Sequence, residues 1–195
     1  MNIGIDIDDT ISKTTEAIDE MAKYYTENIL KREFKLNDDK EILDPMWAKY
    51  LYGWTTEEND KFWDLYHEKI MSNLRPKDNV VQIINNLSQK NKIVIITARW
   101  DRTNGSIAKI TNEWLERQGI HYDKIFMGHE DKRKIAMENN IDIFIDDNYK
   151  TCKQISELGI RTLIMNSRLN KNIKDDTLER VFSWEDIEGK IKEEC

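Results

Sequence analysis

Carboxylate side chains follow two of the apolar runs in the sequence. The run that opens the chain leads into Asp6, Asp8 and Asp9, and a later run leads into Asp146 and Asp147. Crowded carboxylates repel one another, and they stay ionised together only beside a counter-ion. Mg²⁺ is a suitable one, since it takes oxygen ligands from one or two carboxylates, from substrate phosphate and from water. The two acidic groups therefore predict a Mg²⁺ site if both runs end at the same edge of the fold.

A hydroxyl and several cations supply the complementary chemistry. Thr97 and Arg99 follow the apolar run IVII, and Lys132 and Lys134 belong to the cluster KRK. Hydroxyl and cationic groups bind phosphate oxygens, and a carboxylate can attack phosphorus to form an acyl-phosphate. These residues predict a site for a small phosphorylated ligand. The candidates for binding it are Thr97, Arg99 and Lys132, although Lys134 could replace Lys132, and Arg99 could instead pair with Asp146 or with solvent.

The elements that must position these residues alternate between strands and helices. Strand patterns cover Asn2–Ile7, Ile93–Thr97, Ile125–Met127, Ile141–Ile145 and Arg161–Met165. Helical patterns cover Asn79–Gln89, Ser106–Gln118, Lys132–Asn139 and Tyr149–Leu158. Strands separated by single helices form β-α-β units, which predicts an α/β fold with a parallel sheet and helices on both faces. Ligands of such sheets bind beyond the carboxyl ends of the strands, where the candidate residues lie.

Residues 12 to 75 interrupt the alternation, because they contain no strand pattern. Helical patterns over Thr14–Lys31, Pro45–Tyr52 and Glu57–Met71 predict a small helical module inserted after the first strand, and Pro76 closes the segment. Seven aromatic residues fall between positions 47 and 66 of this module. Large rings can build a core from few residues, but one or two of them could instead face a ligand and stack on a flat base.

Composition excludes several classes of protein. The chain has 195 residues with 30 basic and 37 acidic side chains, for a net charge of −7, which argues against polymeric nucleic acid as the main partner. Its apolar runs are too short for a membrane helix, and its start lacks the features of a secretion signal. Cys152 and Cys195 form no C-x-x-C pair, which disfavours structural zinc and dithiol chemistry. We therefore expect a cytoplasmic location.

The acidic and hydroxyl motifs together resemble a known family. The motif D-x-D-x-T over residues 6–10, then Thr97, a lysine at a helix start and the pair Asp146–Asp147 resemble the four-part pattern of the haloacid dehalogenase-like (HAD) hydrolases. The helical module resembles their first type of cap. The stretches IDIDDT, ITAR and IDIFIDDN, with SWED near the end of the chain, resemble the 5′(3′)-deoxyribonucleotidase group and its bacterial nucleotidase relatives. This implies a Rossmann-like core of residues 1–12 and 76–195 and a helical cap of residues 13–75.

The resemblance also implies a role for each motif residue. Asp6 becomes the nucleophile and a metal ligand, and Asp8 becomes the general acid and base, whose backbone carbonyl binds Mg²⁺. Thr97 binds the transferring phosphate, and Lys132 neutralises the phosphate and the nucleophile. Asp147 binds Mg²⁺ directly, whereas Asp146 lies behind it or exchanges that role. Thr10 supports the loop, and Asp9 receives no chemistry.

The function implied is that of a Mg²⁺-dependent phosphomonoester hydrolase that acts through an aspartyl-phosphate. The substrate class that the resemblance favours is (deoxy)nucleoside monophosphates. Another small phosphoester is the alternative substrate, and a homodimer is possible. Two other classes compete with this interpretation. A receiver-type signalling module should have no insert after its first strand and should carry its accepting aspartate on a middle strand. A non-catalytic ligand-binding relative should not need both Asp6 and Asp8.

Overall fold

The computed structural model describes residues 1–37, 47–100 and 106–192. Its strands are β1 (Asn2–Ile5), β2 (Lys92–Ile96), β3 (Lys124–Phe126), β4 (Ile143–Asp146), β5 (Arg161–Met165) and β6 (Glu179–Val181). Its α-helices are α1 (Thr14–Tyr24), α2 (Trp47–Leu51), α3 (Thr56–Ser72), α4 (Val80–Ser88), α5 (Ser106–Gln118), α6 (Arg133–Glu138), α7 (Tyr149–Ser156) and α8 (Trp184–Lys192). A π-helical segment, Tyr25–Ile29, continues α1. None of the described helices has the length and apolarity that crossing a membrane requires.

The six strands form one parallel sheet in the order β3-β2-β1-β4-β5-β6. Alternate strand residues enter different apolar clusters, as the pleat requires. Ile95 joins the cluster that contains Trp114 of α5 and Ile187 of α8. Its neighbour Ile96 joins a second cluster with Ile155 of α7. Both faces of the sheet are therefore covered by helices, which confirms the predicted α/β, Rossmann-like class.

The strand order brings the candidate residues together. β1 lies in the centre of the sheet and pairs with β2 on one side and β4 on the other. The ladder continues past β1, since the Asp6 amide donates to the Ile145 carbonyl at 2.9 Å. The chain therefore adds β2 and β3 on one side of β1 and then β4, β5 and β6 on the other side. The ends of β1, β2 and β4 form the crevice where open α/β sheets bind ligands.

Helices α1, α2 and α3 with the π-helical segment are the described elements of the helical insert between β1 and α4. Its core is aromatic: the ring of Tyr25 lies 5.3 Å from that of Trp54 and 5.5 Å from that of Phe62. The two chain segments that join it to the sheet are bonded to each other, because the Lys13 amide donates to the Arg75 carbonyl at 2.8 Å. The prediction of a helical module after the first strand is thus confirmed for the described residues.

The described elements differ from the sequence patterns in a few places. The pattern at Thr14–Lys31 is an α-helix only to Tyr24, after which the backbone widens into the π-helical segment. The predicted start of the next helix at Pro45 lies outside the described residues, and α2 is described from Trp47. Strand β6 carries no apolar run long enough to signal it. It forms because it pairs with the edge of β5.

Candidate active site

Lys132 joins two acidic residues from neighbouring strands. Its ammonium donates to Asp6 Oδ1 at 2.5 Å and to Asp146 Oδ2 at 2.7 Å. All three side chains are almost fully buried. Lys134, the alternative in the sequence, is exposed and lies 3.7 Å from Glu138. The structure therefore brings Lys132, not Lys134, against the end of β1.

Asp6, Asp146 and Asp147 form what we name the acidic cluster. One carboxylate oxygen from each lies within 4.8 Å of the others. Burial raises the pKa of Asp6 to about 7, and Asp146 and Asp8 add to the shift while Lys132 opposes it. Burial also raises the pKa of Asp147 well above its usual range, with further contributions from the neighbouring carboxylates.

The three carboxylates of the acidic cluster carry more negative charge than one lysine, bonded to Asp6 and Asp146, can neutralise. Burial alone would lower the pKa of Lys132, but Asp146 and Asp6 outweigh it and raise the pKa, so the lysine stays charged. A single ammonium leaves the acidic cluster under-neutralised, and a divalent cation would correct this. The donor set is oxygen only, which fits Mg²⁺ better than a metal that prefers nitrogen or sulfur. The residues present fit a metal site of this kind.

Asp8 belongs to a different group of contacts. Arg99 holds both of its carboxylate oxygens, with Nε to Oδ2 at 2.8 Å and Nη2 to Oδ1 at 2.7 Å. The Thr14 hydroxyl donates to Oδ1 at 2.7 Å. Burial favours a higher pKa, but Arg99 and Thr14 outweigh it and hold the pKa of Asp8 below its usual value. Asp6 and Asp8 lie two residues apart, yet their pKa values are shifted in opposite directions, because burial prevails at Asp6 and the bonds from Arg99 and Thr14 prevail at Asp8.

Arg99 is buried against Asp8. The guanidinium side chain is only 3% exposed and also donates to the Thr111 hydroxyl at 3.2 Å. Thr97 is 1% exposed at the end of β2, and its hydroxyl accepts the Arg99 backbone N–H at 3.3 Å. The structure thus places Thr97 at the predicted edge of the sheet. Arg99 pairs with Asp8, and not with Asp146 or with solvent as the sequence alternatives had it.

Asp9 and Thr10 shape the loop that carries Asp6 and Asp8. Asp9 has a left-handed backbone, with φ of 53°. Its carboxylate accepts the amide of Thr15 at 2.9 Å and the hydroxyl of the same residue, so it holds the first turn of α1. The Thr10 carbonyl accepts the indole N–H of Trp184 at 2.9 Å. Trp184 belongs to the SWED motif, and its contact explains how the end of the chain reaches the site.

Asn170 is a site residue that sequence reasoning missed. It is 1% exposed in the loop after β5. Its side-chain amide donates to the Asp147 carbonyl at 2.6 Å and to the Met165 carbonyl at 2.8 Å. It therefore fixes the backbone beside the acidic cluster. No motif marks Asn170, because an asparagine in a polar loop is ordinary, so only the folded contact reveals its role.

The fold and this group of residues define a class of protein. A nearly buried carboxylate at the end of a central parallel strand, a lysine against it and an acidic pair after the neighbouring strand make the chain a HAD-like hydrolase, and it is a phosphatase. Residues 1–193 match the model of the family described as 5′ nucleotidase, deoxy (pyrimidine), cytosolic type C protein (NT5C). The chain belongs to that family.

Similar proteins agree with this membership. The chain is 28% identical over 191 residues to Nucleotidase CA_C3379 of Clostridium acetobutylicum, which covers 97% of the chain and 92% of that protein. It is 31% identical over 194 residues to "Putative nucleotidase YqfW" of Bacillus subtilis, with 94% and 90% covered. Among solved structures, the haloacid dehalogenase-like hydrolase SP0104 of Streptococcus pneumoniae has a similar fold, with a TM-score of 0.69, 14% identity and 97% of both chains covered.

Proposed function

We propose that this phosphatase is a Mg²⁺-dependent nucleotidase that removes phosphate from (deoxy)nucleoside monophosphates through an aspartyl-phosphate on Asp6. The observation that carries the proposal is the bridge from Lys132 to Asp6 and Asp146. It sets a nearly buried carboxylate beside a fixed cation, which can neutralise a phosphate that approaches Asp6.

The first step of the proposed reaction belongs to Asp6. A carboxylate oxygen of Asp6 attacks phosphorus, the bond between phosphorus and the ester oxygen breaks, and Asp8 gives a proton to the leaving oxygen. Asp8 must first take up this proton from solvent, because its ion pair with Arg99 favours the ionised carboxylate. In the second step Asp8 takes a proton from water, the hydroxide attacks phosphorus, and the Asp6 carboxylate is released. Thr97 and Lys132 bind the phosphoryl oxygens in both steps.

The acidic cluster would hold the metal ion, with the backbone carbonyl of Asp8 as a further ligand. Asp147 would bind it directly, and Asp146, which already accepts Lys132, would bind it or lie behind Asp147. The bound ion would supply positive charge for the phosphate and for the crowded carboxylates. A protein of similar fold, the "putative HAD-hydrolase YfnB" of Bacillus subtilis, was solved bound to magnesium and shows interdomain movement; its TM-score is 0.64 at 15% identity, with 97% of both chains covered.

We propose that the helical insert, residues 13–75, is a cap that chooses the substrate. Tyr25, Trp54 and Phe62 are buried against one another and have no free face for a base. Trp47 is only half-buried, and its ring lies 6.2 Å from that of Tyr52. The Tyr52 hydroxyl donates to Asp19 within the insert, and the same carboxylate binds Arg168 of the loop after β5. We therefore propose the partly exposed Trp47 as the ring that stacks on a bound nucleobase.

A substrate panel tests this function. Phosphate release is measured with Mg²⁺ on nucleoside 5′- and 3′-monophosphates, sugar phosphates and an aryl phosphate. Asp6→Asn should lower hydrolysis by several decades, because covalent catalysis depends on that carboxylate. Asp176→Asn, the same change at an exposed residue, should leave it unchanged. Chelation by EDTA should abolish the activity, and added Mg²⁺ should restore it.

The outcomes separate the alternatives. Preference for nucleotides supports the nucleotidase, and preference among 5′ and 3′ esters defines its type. Turnover of sugar phosphates or of the aryl phosphate alone would support the mechanism but refute nucleotides as the substrate class. An active Asp6→Asn enzyme would refute the assignment of the nucleophile. Cytoplasmic location and a homodimer remain predictions that fractionation and sedimentation would test.

A further inference from the structure

One ion pair joins the helical insert to the loop after β5. Arg168, in that loop, donates from Nη1 to Asp19 Oδ1 at 2.8 Å, and its Nη2 lies 2.6 Å from Oδ2. Asp19 belongs to α1 of the insert. The hydroxyl of Tyr52, at the end of α2, donates to the same Oδ1 at 2.7 Å. We name these three side chains the clasp.

The insert end of the clasp is held firmly. Tyr52 is 5% exposed, and its ring lies 4.7 Å from that of Trp54 and 5.8 Å from that of Phe34. Asp19 lies on α1, whose first turn is held by Asp9 of the active-site loop. The carboxylate that Arg168 binds is therefore fixed both to the aromatic core of the insert and to the loop that carries the nucleophile.

The sheet end of the clasp is held equally well. Arg168 lies two residues before Asn170, whose amide bonds to the Asp147 and Met165 carbonyls. The backbone N–H of Ser167 donates to Asn170 Oδ1 at 3.2 Å. The loop that presents Arg168 is thus the same loop that fixes the backbone of Asp147 beside the acidic cluster.

The clasp differs from the ion pairs that contribute little at a protein surface. Exposed pairs lose most of their energy to hydration and to side-chain freedom. Here the side chains of Arg168 and Asp19 are 25% and 19% exposed, two guanidinium nitrogens engage two oxygens, and a buried tyrosine adds a third contact. Such fork-to-fork geometry fixes the direction as well as the distance between two elements.

We infer that Arg168 is a positioning residue that holds the helical insert over Asp6 through Asp19 and Tyr52. It acts on the insert, not on the reacting atoms. Closure excludes water and completes the surface that encloses a substrate. The inference rests on the proposed function for its kinetic part, but its structural part can be tested with no substrate present.

The kinetic expectation follows from population arithmetic. When only a fraction of the enzyme is closed, the apparent dissociation constant rises as the inverse of that fraction. If Arg168→Gln reduces the closed fraction to about a tenth, KM should rise about tenfold. Because bound substrate itself favours the closed state, kcat should change little. Arg168→Lys should recover only part of the loss, since an ammonium cannot engage two oxygens as a fork does.

A matched control exists in the sheet part of the molecule. Asp175 accepts Lys153 at 3.1 Å and the Tyr149 hydroxyl at 3.0 Å, so it also joins one cation and one tyrosine. The side chains of Lys153 and Asp175 are 35% and 13% exposed. None of these residues belongs to the insert. Lys153→Gln should therefore leave KM and the position of the insert unchanged.

The position of the insert is measured by electron–electron distance between spin labels. Labels are placed on cysteines that replace two exposed residues, Lys61 of α3 and Glu157 after α7, with Cys195 changed to serine. Cys152 is buried and should not react. The Arg168→Gln chain should give a broader or longer distance distribution than the parent chain, whereas Lys153→Gln should not.

Two further variants keep the inference falsifiable. Asp19→Asn removes the charge but keeps an oxygen for Tyr52, and it should widen the distribution as Arg168→Gln does. The reversed pair, Asp19→Arg with Arg168→Asp, should restore the distance and KM, which neither single change can do. An unchanged distribution in Arg168→Gln would overturn the clasp. A raised KM with an unchanged distribution would also overturn it, because Arg168 would then contact the substrate itself. If no phosphate ester in the panel is hydrolysed, the proposed function is refuted instead.

Discussion

Gly4 is the position where one added methyl group should test the packing beneath the active site. It pairs with Phe144 in the β1–β4 ladder. A Cβ built at Gly4 would lie 2.6 Å from Phe144 Cδ2 and 3.2 Å from Ile141 Cγ2, whereas ordinary contacts are 3.4–4 Å. The Phe144 ring is completely buried, and the ammonium of Lys132 lies 5.7 Å from its centre. Because the ring is enclosed by protein, relief of the overlap requires the ring or its neighbours in the core to shift.

The expected cost of Gly4→Ala follows from this overlap. Overpacking a tight core costs about 1–3 kcal/mol. For a chain of this size, each kcal/mol lowers Tm by about 2–4 °C, so Tm should fall by about 2–12 °C. Activity should fall as well, since the displaced ring supports the lysine that faces Asp6. Urea unfolding and thermal scans measure the stability, and phosphate release measures the activity.

Two further variants test whether the clash with Phe144 causes the loss of stability. Gly189→Ala, at an exposed position of α8 where the new Cβ would meet no atom within 4 Å beyond its chain neighbours and its own helix backbone, should instead stabilise the protein by up to about 1 kcal/mol. Phe144→Leu in the Gly4→Ala background should make the combined cost smaller than the sum of the two single costs, by about 0.5–3 kcal/mol. Additive costs, or a Gly4→Ala protein as stable as the parent, would refute the assignment of the clash to this ring.

Two other predictions concern contacts away from the acidic cluster. Trp184→Phe leaves the buried Thr10 carbonyl without its donor, so the free energy of unfolding should fall by about 1–3 kcal/mol in urea titrations; an unchanged midpoint would contradict this. Arg161 and Lys190 hold the pKa of Glu179 at about 2, below its usual 4.5. The stabilisation is therefore present above pH 4.5 and lost as the pH falls toward 2. Glu179→Gln should weaken the protein at pH 6 and match it near pH 2, and a pH-independent difference would exclude this linkage.

Much of the site could be predicted from the sequence because its residues stand at the ends of strongly apolar runs. β-Branched runs identify the strands, and parallel pairing brings their ends together whatever the details of the loops. This pattern predicts that Asp6, Thr97, Asp146 and Asp147 lie at one edge of the sheet. The lysine could not be chosen by the same argument, because Lys132 and Lys134 lie in one polar cluster and only burial distinguishes them.

Other features depend on contacts between distant parts of the chain, which no local pattern contains. Asn170 fixes Asp147 from a loop of ordinary polar composition. Arg168 meets its partner across 149 positions of sequence. Strand β6 is three residues long and forms because β5 offers an unpaired edge. In each case the residue types are also common in exposed loops, so composition and periodicity predict a solvent-exposed loop there or predict no structure at all.

The opposite surroundings of Asp6 and Asp8 determine what each carboxylate must gain before it can react. The acidic cluster has one lysine for three carboxylates, so its negative charge is not fully neutralised until a cation or another positive group binds. Asp8 has its own guanidinium, so its charge is already balanced without a metal. A cation at the acidic cluster would favour the ionised form of Asp6, which is the form that attacks phosphorus, whereas Asp8 needs a proton from solvent before it can act as an acid. The backbone turn after β1 creates this division, because it directs two carboxylates only two residues apart toward different cations.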